Sequence, residues 1–289
     1  MFRDGELALL AWIGDSLAPG ATGDDAALFP TDDGYFVASC DMFVEGKHFL
    51  VGTRFMATED IGWRAMALAL GDLAAKGARP LGALTAIAMP NRMGWARKDL
   101  ATLYRGMAAL GRRFKMRIVG GDMSATEGPI VLSITVIGHT KTRPIARAKA
   151  KPGWSIGVTG PLGAAAVALR KRRAYRLLPL IDEGRRLNEL GLCCGDISDG
   201  LVREMEKFAA MSGTGSVIDA ERVPRAEGAS LEEALTSGEE AQLVCVGPRR
   251  LVAKSGLHVV GEMIPEKVVN VSGARLRSTG YDHFGRAGN

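Results

Sequence analysis

Two adjacent carboxylates, Asp24 and Asp25, stand between Gly23 and the small apolar pair Ala26-Ala27. No other stretch restricts the chain as much. Gly23 lets the backbone turn tightly, and Ala26, Ala27, Leu28 and Phe29 read as the start of a buried strand. A carboxylate at the mouth of such a strand is costly to desolvate unless a cation or hydrogen bonds compensate it. An Asp-rich turn would account for this stretch alone. The situation recurs, however, at Asp41, Asp72, Asp122, Asp196 and Asp199, at expected strand ends or on apolar faces. Repetition turns a turn signal into a candidate metal and phosphate site.

A chain of 289 residues suggests two domains at about 100–200 residues each. Its 47% hydrophobic and 24% charged content is that of a soluble globular protein. The net charge of +5 suits an anionic ligand. Part of the excess is local, in Arg170-Lys171-Arg172-Arg173 and Arg185-Arg186, which read as solvated helix faces. These runs lack the interleaved aromatics of single-strand nucleic-acid binders, so a nucleic-acid partner is not expected. Cys40, Cys193, Cys194 and Cys245 form no Cys-x-x-Cys pair, which argues against structural zinc. Cys193 and Cys194 are expected to be small buried hydrophobes, in keeping with a reducing cytoplasm. Asp4, Glu6 and Asp15 argue against a signal peptide. No apolar run approaches the ~18 residues of a membrane span.

Along the chain, residues 5–17 have helical spacing and stop at Pro19-Gly20. A strand near 26–29, the turn Thr31-Asp32-Asp33-Gly34 and a strand from Tyr35 to Cys40 suggest a hairpin, with Asp41 at its carboxyl end. Residues 42–56 read as a loop. A helix capped by Thr58, with Glu59 and Asp60 in its first turn, runs to about Lys76 and ends at Gly77. Within it Ala65, Leu68, Ala69, Asp72 and Ala75 share a face, so Asp72 needs a partner. A strand at 81–89, an amphipathic helix at 96–115, a short strand 117–119 leading into Gly120-Gly121-Asp122, and a strand at 130–138 follow. The domain boundary is placed in the basic 140–153 segment, giving domains of 1–143 and 144–289. The second half reads as strands near 155–159, 192–197, 216–219, 242–246, 257–262 and 267–271, with helices at an alanine-rich stretch after Gly163, at 201–211 and near 230–236.

Hard oxygen donors without a histidine cluster point to Mg²⁺. Magnesium on carboxylates completes its shell with water and substrate phosphates, so scattered aspartates imply a nucleotide or polyphosphate ligand. Phosphoryl transfer needs positioning and charge neutralisation more than a protein nucleophile, and neither a Ser-His-Asp nor a Cys-His arrangement is evident.

Taken together and in order, these segments resemble the thiamine-monophosphate kinase family of the aminoimidazole-ribonucleotide-synthetase-like (AIR-synthetase-like) superfamily. The resemblance is carried by Gly23-Asp24-Asp25-Ala26-Ala27, Asp41 with Glu45-Gly46-Lys47-His48-Phe49, Asp72-Leu73-Ala74-Ala75, Gly120-Gly121-Asp122, Lys151-Pro152-Gly153, Asp196-Ile197-Ser198-Asp199-Gly200-Leu201 and Gly280-Tyr281-Asp282-His283-Phe284. It implies an α/β (α+β), two-domain fold: an N-terminal mixed sheet that pairs across a homodimer, and a C-terminal α/β domain. It implies Mg²⁺ and the co-substrate ATP between the domains. By motif, Asp25, Ser39, Asp41, Asp72, Asp122, Asp196 and Asp199 match metal ligands, with Asp25, Asp72 and Asp122 central to catalysis. Tyr104, Gly121, Asp122, Arg147 and Ser198 match nucleotide contacts, and His48, Glu239 and Tyr281 match contacts to thiamine monophosphate. The implied reaction gives thiamine diphosphate and ADP by direct transfer. A paralogue acting on another small anionic substrate and a non-catalytic nucleotide-binding protein are the alternatives. Two departures stand out: Cys40 replaces the family's threonine, and the stretch 236–243 lacks its aromatic residue, with Ala241 present instead.

Overall fold

The tight turn at Thr31–Gly34 folds the first two strands back on each other. In the computed structural model, which describes residues 5–18, 23–90 and 95–284, β1 (Ala27–Thr31) pairs antiparallel with β2 (Gly34–Val44), Thr31 opposite Gly34. The helical N-terminal stretch, Glu6–Leu17, ends in a π-turn; the Pro19-Gly20 stop lies outside the described residues. Strand β2 is longer than its sequence suggests. Asp41 therefore sits inside the strand rather than at its end, and Met42–Val44 are not loop. The backbone pairing of β2 with β5 (Val131–Thr140) extends through Val44 and carries the strand past the first acidic residue.

β3 (Arg79–Pro90) and β4 (Arg117–Thr126) complete a five-stranded mixed sheet, in the order β1-β2-β5-β3-β4. β3 and β4 run parallel, and the Gly120-Gly121-Asp122 stretch lies within β4 rather than following it. Gly121 has φ +154, and a Cβ there would meet the Thr85 carbonyl oxygen at 1.9 Å. Only glycine fits that strand contact.

The helix α2 (Thr58–Ala75) is capped by Ala57 rather than Thr58: the Asp60 carboxylate accepts the Ala57 N–H at 3.0 Å. Its residues are buried on all sides, from Ile61 to Ala75, as expected of a helix enclosed by other elements. β2 and β5 pack on one side of it, α3 (Arg97–Arg113) and α5 (Ile181–Glu189) on others. Lys76 and Gly77 terminate it, the latter at φ +60.

The second sheet has six strands, in the order β11-β8-β10-β6-β9-β7, where β6 is Trp154–Val158, β7 Cys193–Asp196, β8 Gly215–Asp219, β9 Leu243–Pro248, β10 His258–Ile264 and β11 Val269–Ser272. Helices α4 (Ala164–Arg170), α6 (Leu201–Ser212) and α7 (Leu231–Thr236) agree with the sequence reading; α8 (Arg249–Lys254) was not expected. The cysteine expectation needs correction. Cys193 is a buried thiol, but Cys194 is bonded to Cys245. These two lie directly opposite on β7 and β9, a cross-strand placement invisible at a separation of 51 residues. Among the described residues, no helix is long and apolar enough to cross a membrane. The edge strand β7 abuts α2, and that contact brings the acids of the two halves together.

Candidate active site

Alternation along β2 decides which of its polar residues point inward. Val37 and Phe43 are buried core residues, and Ser39 and Asp41 share their face. Asp72 approaches from α2, and Asp196 from the last position of β7. Gly71 makes this meeting possible: a Cβ on it would stand 3.0 Å from an Asp196 carboxylate oxygen. A cleft of ≈ 810 Å³ opens between the two sheets, with Asp25, Ser39, Asp41, Asp72, Asp196 and Asp199 in its wall. Arg147, Ser198, His48, Glu239 and Tyr281 line it as well. That volume is in the range of small-ligand sites, roughly 300–1,000 Å³.

The acids fall into two groups. Asp25 is gripped by cations: Arg147 contacts its Oδ1, and Lys76 Nζ lies 2.9 Å from Oδ2. Burial opposes its charge, but Arg147 and Lys76 outweigh that and hold its pKa below the ordinary value. Arg147 also bonds Glu204 at 2.8 Å, and Lys207 bridges Glu204 and Asp199 at 2.7 Å each. By contrast, among the described residues no cation forms an ion pair with Asp41, Asp72 or Asp196. Asp72 accepts a hydrogen bond from the Ser39 hydroxyl. Its pKa is pushed well up, by burial first and then by Asp41, Asp196 and Asp25. Asp196 is raised by burial, Asp25 and Glu204. Burial, with Asp199 and Asp25 nearby, lifts Asp41 to about 6. Buried, mutually repelling carboxylates with only oxygen donors are the donor set a hard divalent cation requires.

The other wall is aromatic. Phe43 stacks on Phe49 with centroids 5.1 Å apart, and His48 lies 5.1 Å from His283. Tyr281 meets His283 edge-on at 4.8 Å. The Val44 N–H donates to His48 Nδ1 at 2.9 Å, which fixes the ring. Burial and the neighbouring His283 depress its pKa, so the imidazole is held neutral. Arg64 of α2 pairs with Glu239.

Residues 23–140 match the family model described as AIR synthase related protein, N-terminal domain. The thiamine-monophosphate kinase of Halobacterium salinarum is 30% identical over 284 residues, covering 90% of this chain and 94% of that protein. That of Rhodopirellula baltica is 31% identical over 225 residues, 73% and 68% of the respective chains. The chain belongs to the thiamine-monophosphate kinase family. Among solved structures, AaThiL complexed with AMPPCP and TMP superposes with a TM-score of 0.84 at 25% identity, covering 98% of this chain and 99% of that one. The AIR-synthetase-like fold expected from the motifs is thus the fold observed.

Three of the residues matched to the thiamine-monophosphate kinase family do not line the cleft of the single chain. Tyr104 packs its ring against the core beside α2. Gly121 and Asp122 lie on β4, and the register places Asp122 in a row with Ala86, Ser133 and Met42. Met42 is 59% exposed on the outer face of the sheet, so Asp122 points away from Ser39 and Asp41. Conversely, Lys76, Glu204 and Lys207 were missed. The available signal was a charge in an apolar stripe: Glu204 is fully buried among Leu201, Val202, Met205 and Phe208. The same rule had already singled out Asp72.

Proposed function

We propose that this chain is a Mg²⁺-assisted thiamine-monophosphate kinase that moves the γ-phosphoryl group of ATP directly onto the phosphate of thiamine monophosphate, yielding thiamine diphosphate and ADP. One observation carries the reading: Asp72 and Asp196 are buried, Asp41 lies beside them, none of the three forms an ion pair among the described residues, and all line a cleft shared with Phe43, His48 and Tyr281. Ser39, Asp41, Asp72, Asp196 and Asp199 would hold Mg²⁺, which supplies neutralisation of the phosphate charges when bound; the expected ligand Asp25 is instead engaged on one oxygen by Lys76 and on the other by Arg147. Arg147 and Ser198, which line the cleft, would contact the nucleotide. On the other wall His48, Glu239 and Tyr281 orient the acceptor. A neutral His48 donates or accepts a hydrogen bond without adding charge, and Tyr281, exposed at the cleft, offers an aromatic ring to a flat heterocycle. Ala241 leaves room where the family places an aromatic side chain. No protein nucleophile is required. Setting the two phosphates in line would fall to the carboxylates and Arg147.

The dimer belongs to the same reading. Phe29, Phe36, Met42 and Leu84 are each at least 38% exposed and share the outer face of the first sheet by register. A contiguous apolar patch of this kind favours a partner. A second copy on this face is the route by which Asp122 would serve a nucleotide site that its own chain does not build. Purified protein with ATP, Mg²⁺ and thiamine monophosphate is expected to release ADP and form the diphosphate. ADP formation that does not depend on thiamine monophosphate would overturn the substrate assignment, and tight nucleotide binding without turnover would leave a binding protein.

A further inference from the structure

Lys76 has no role in the reaction above, yet it is wholly buried at the end of α2. Its Nζ lies 2.5 Å from Asp24 Oδ1, 2.9 Å from Asp25 Oδ2 and 3.1 Å from the Cys194 carbonyl oxygen. An ammonium has three donors, and each here faces an oxygen. A lysine buried alone sheds its proton. In this chain two carboxylates lie within ion-pair distance of the ammonium.

Two carboxylates and a peptide carbonyl are also the hard oxygen donors that hold Mg²⁺ in proteins. We propose that Lys76 is a tethered cation that takes the place of a divalent ion at the Asp24–Asp25 corner of the acidic cluster. This rests on the metal reading given above and goes further by naming the corner that needs no ion. Lys76 is a positioning residue. It ties α2, which carries Asp72 one turn earlier, to the Asp24–Asp25 turn and to β7, which carries Asp196. The cluster keeps its shape when metal and nucleotide leave. Arg147 on the other oxygen of Asp25 completes the clamp, so that carboxylate stays oriented toward Asp196 and Glu204, whose ligand atoms lie within 4.8 Å of it and of each other.

The test counts Mn²⁺ bound per chain at saturation, by equilibrium dialysis in the presence of a non-hydrolysable ATP analogue. Wild type, Lys76→Ala and Lys76→Arg are compared, with circular dichroism to establish folding. Lys76→Ala removes the charge and opens space, so it is expected to bind one more ion than wild type. Lys76→Arg keeps the charge and is expected to match wild type. An equal or lower count in folded Lys76→Ala overturns this inference while leaving the metal reading intact. No Mn²⁺ on wild type overturns both. Should Lys76→Ala fail to fold, Asp24→Asn decides: it keeps the wild-type count if Asp24 is engaged by Lys76 alone, and loss of an ion overturns the inference.

Discussion

The two corners of the acidic cluster use the same residue type in opposite ways. At Asp24–Asp25, Lys76 and Arg147 supply fixed positive charge, and the Asp25 pKa falls. At Asp41–Asp72–Asp196 no ion pair forms among the described residues, Asp72 accepts a hydrogen bond from the neutral Ser39, and all three pKa values rise. The first corner is finished by the chain itself and contributes to stability. The second is left electrostatically incomplete, which costs stability until a cation arrives. A burial rule alone would treat both alike. What separates them is whether a lysine or arginine closes an ion pair with the carboxylate.

The sharpest way to break this contrast is at the incomplete corner. Asp72→Asn should lose turnover by more than the roughly 10–100-fold typical of an outer-shell partner, while the metal-free variant melts no lower than wild type. A steady-state ADP assay and a thermal melt check the two halves; normal activity, or a clearly lowered melting temperature, removes the distinction. At the finished corner the expectation is reversed. Arg147→Met removes one of the two cations paired with Asp25 and with Glu204 and should cost about 1–3 kcal/mol of stability even without metal, measured by denaturant unfolding. A loss confined to activity would show that Arg147 serves the nucleotide alone.

The smallest effect is a pH dependence. Asp41 titrates at about 6 in the folded protein against an ordinary 3.8. Between those values the folded state holds the extra proton, so metal-free stability falls as pH rises through that window. Binding Mg²⁺ removes the penalty on the ionised form. The rise in melting temperature on adding Mg²⁺ should therefore be larger at about pH 7.5 than at about pH 5. An equal rise at both would mean that the cation binds away from Asp41.

Local chemistry accounts for what was legible in the chain. The Thr31–Gly34 hairpin follows from turn residues, and the α2 stop from Gly77. The amphipathic α3 and the buried face of β5 follow from periodicity. The ordered motifs marked Asp25, Asp41, Asp72, Asp196 and Asp199 before any of them had a neighbour, because a carboxylate in an apolar setting is anomalous on its own. What a carboxylate meets is another matter. Register across β2, β5, β3 and β4 turned Asp122 outward and Asp41 inward, since a shift of one residue exchanges the faces of a strand. Lys76 reached Asp24 across 52 residues, and Cys194 reached Cys245 across 51. Charge compensation and cross-strand bonding depend on distances in space, and those are set by how α2 packs on the first sheet and how β7 pairs with β9, which no local pattern encodes.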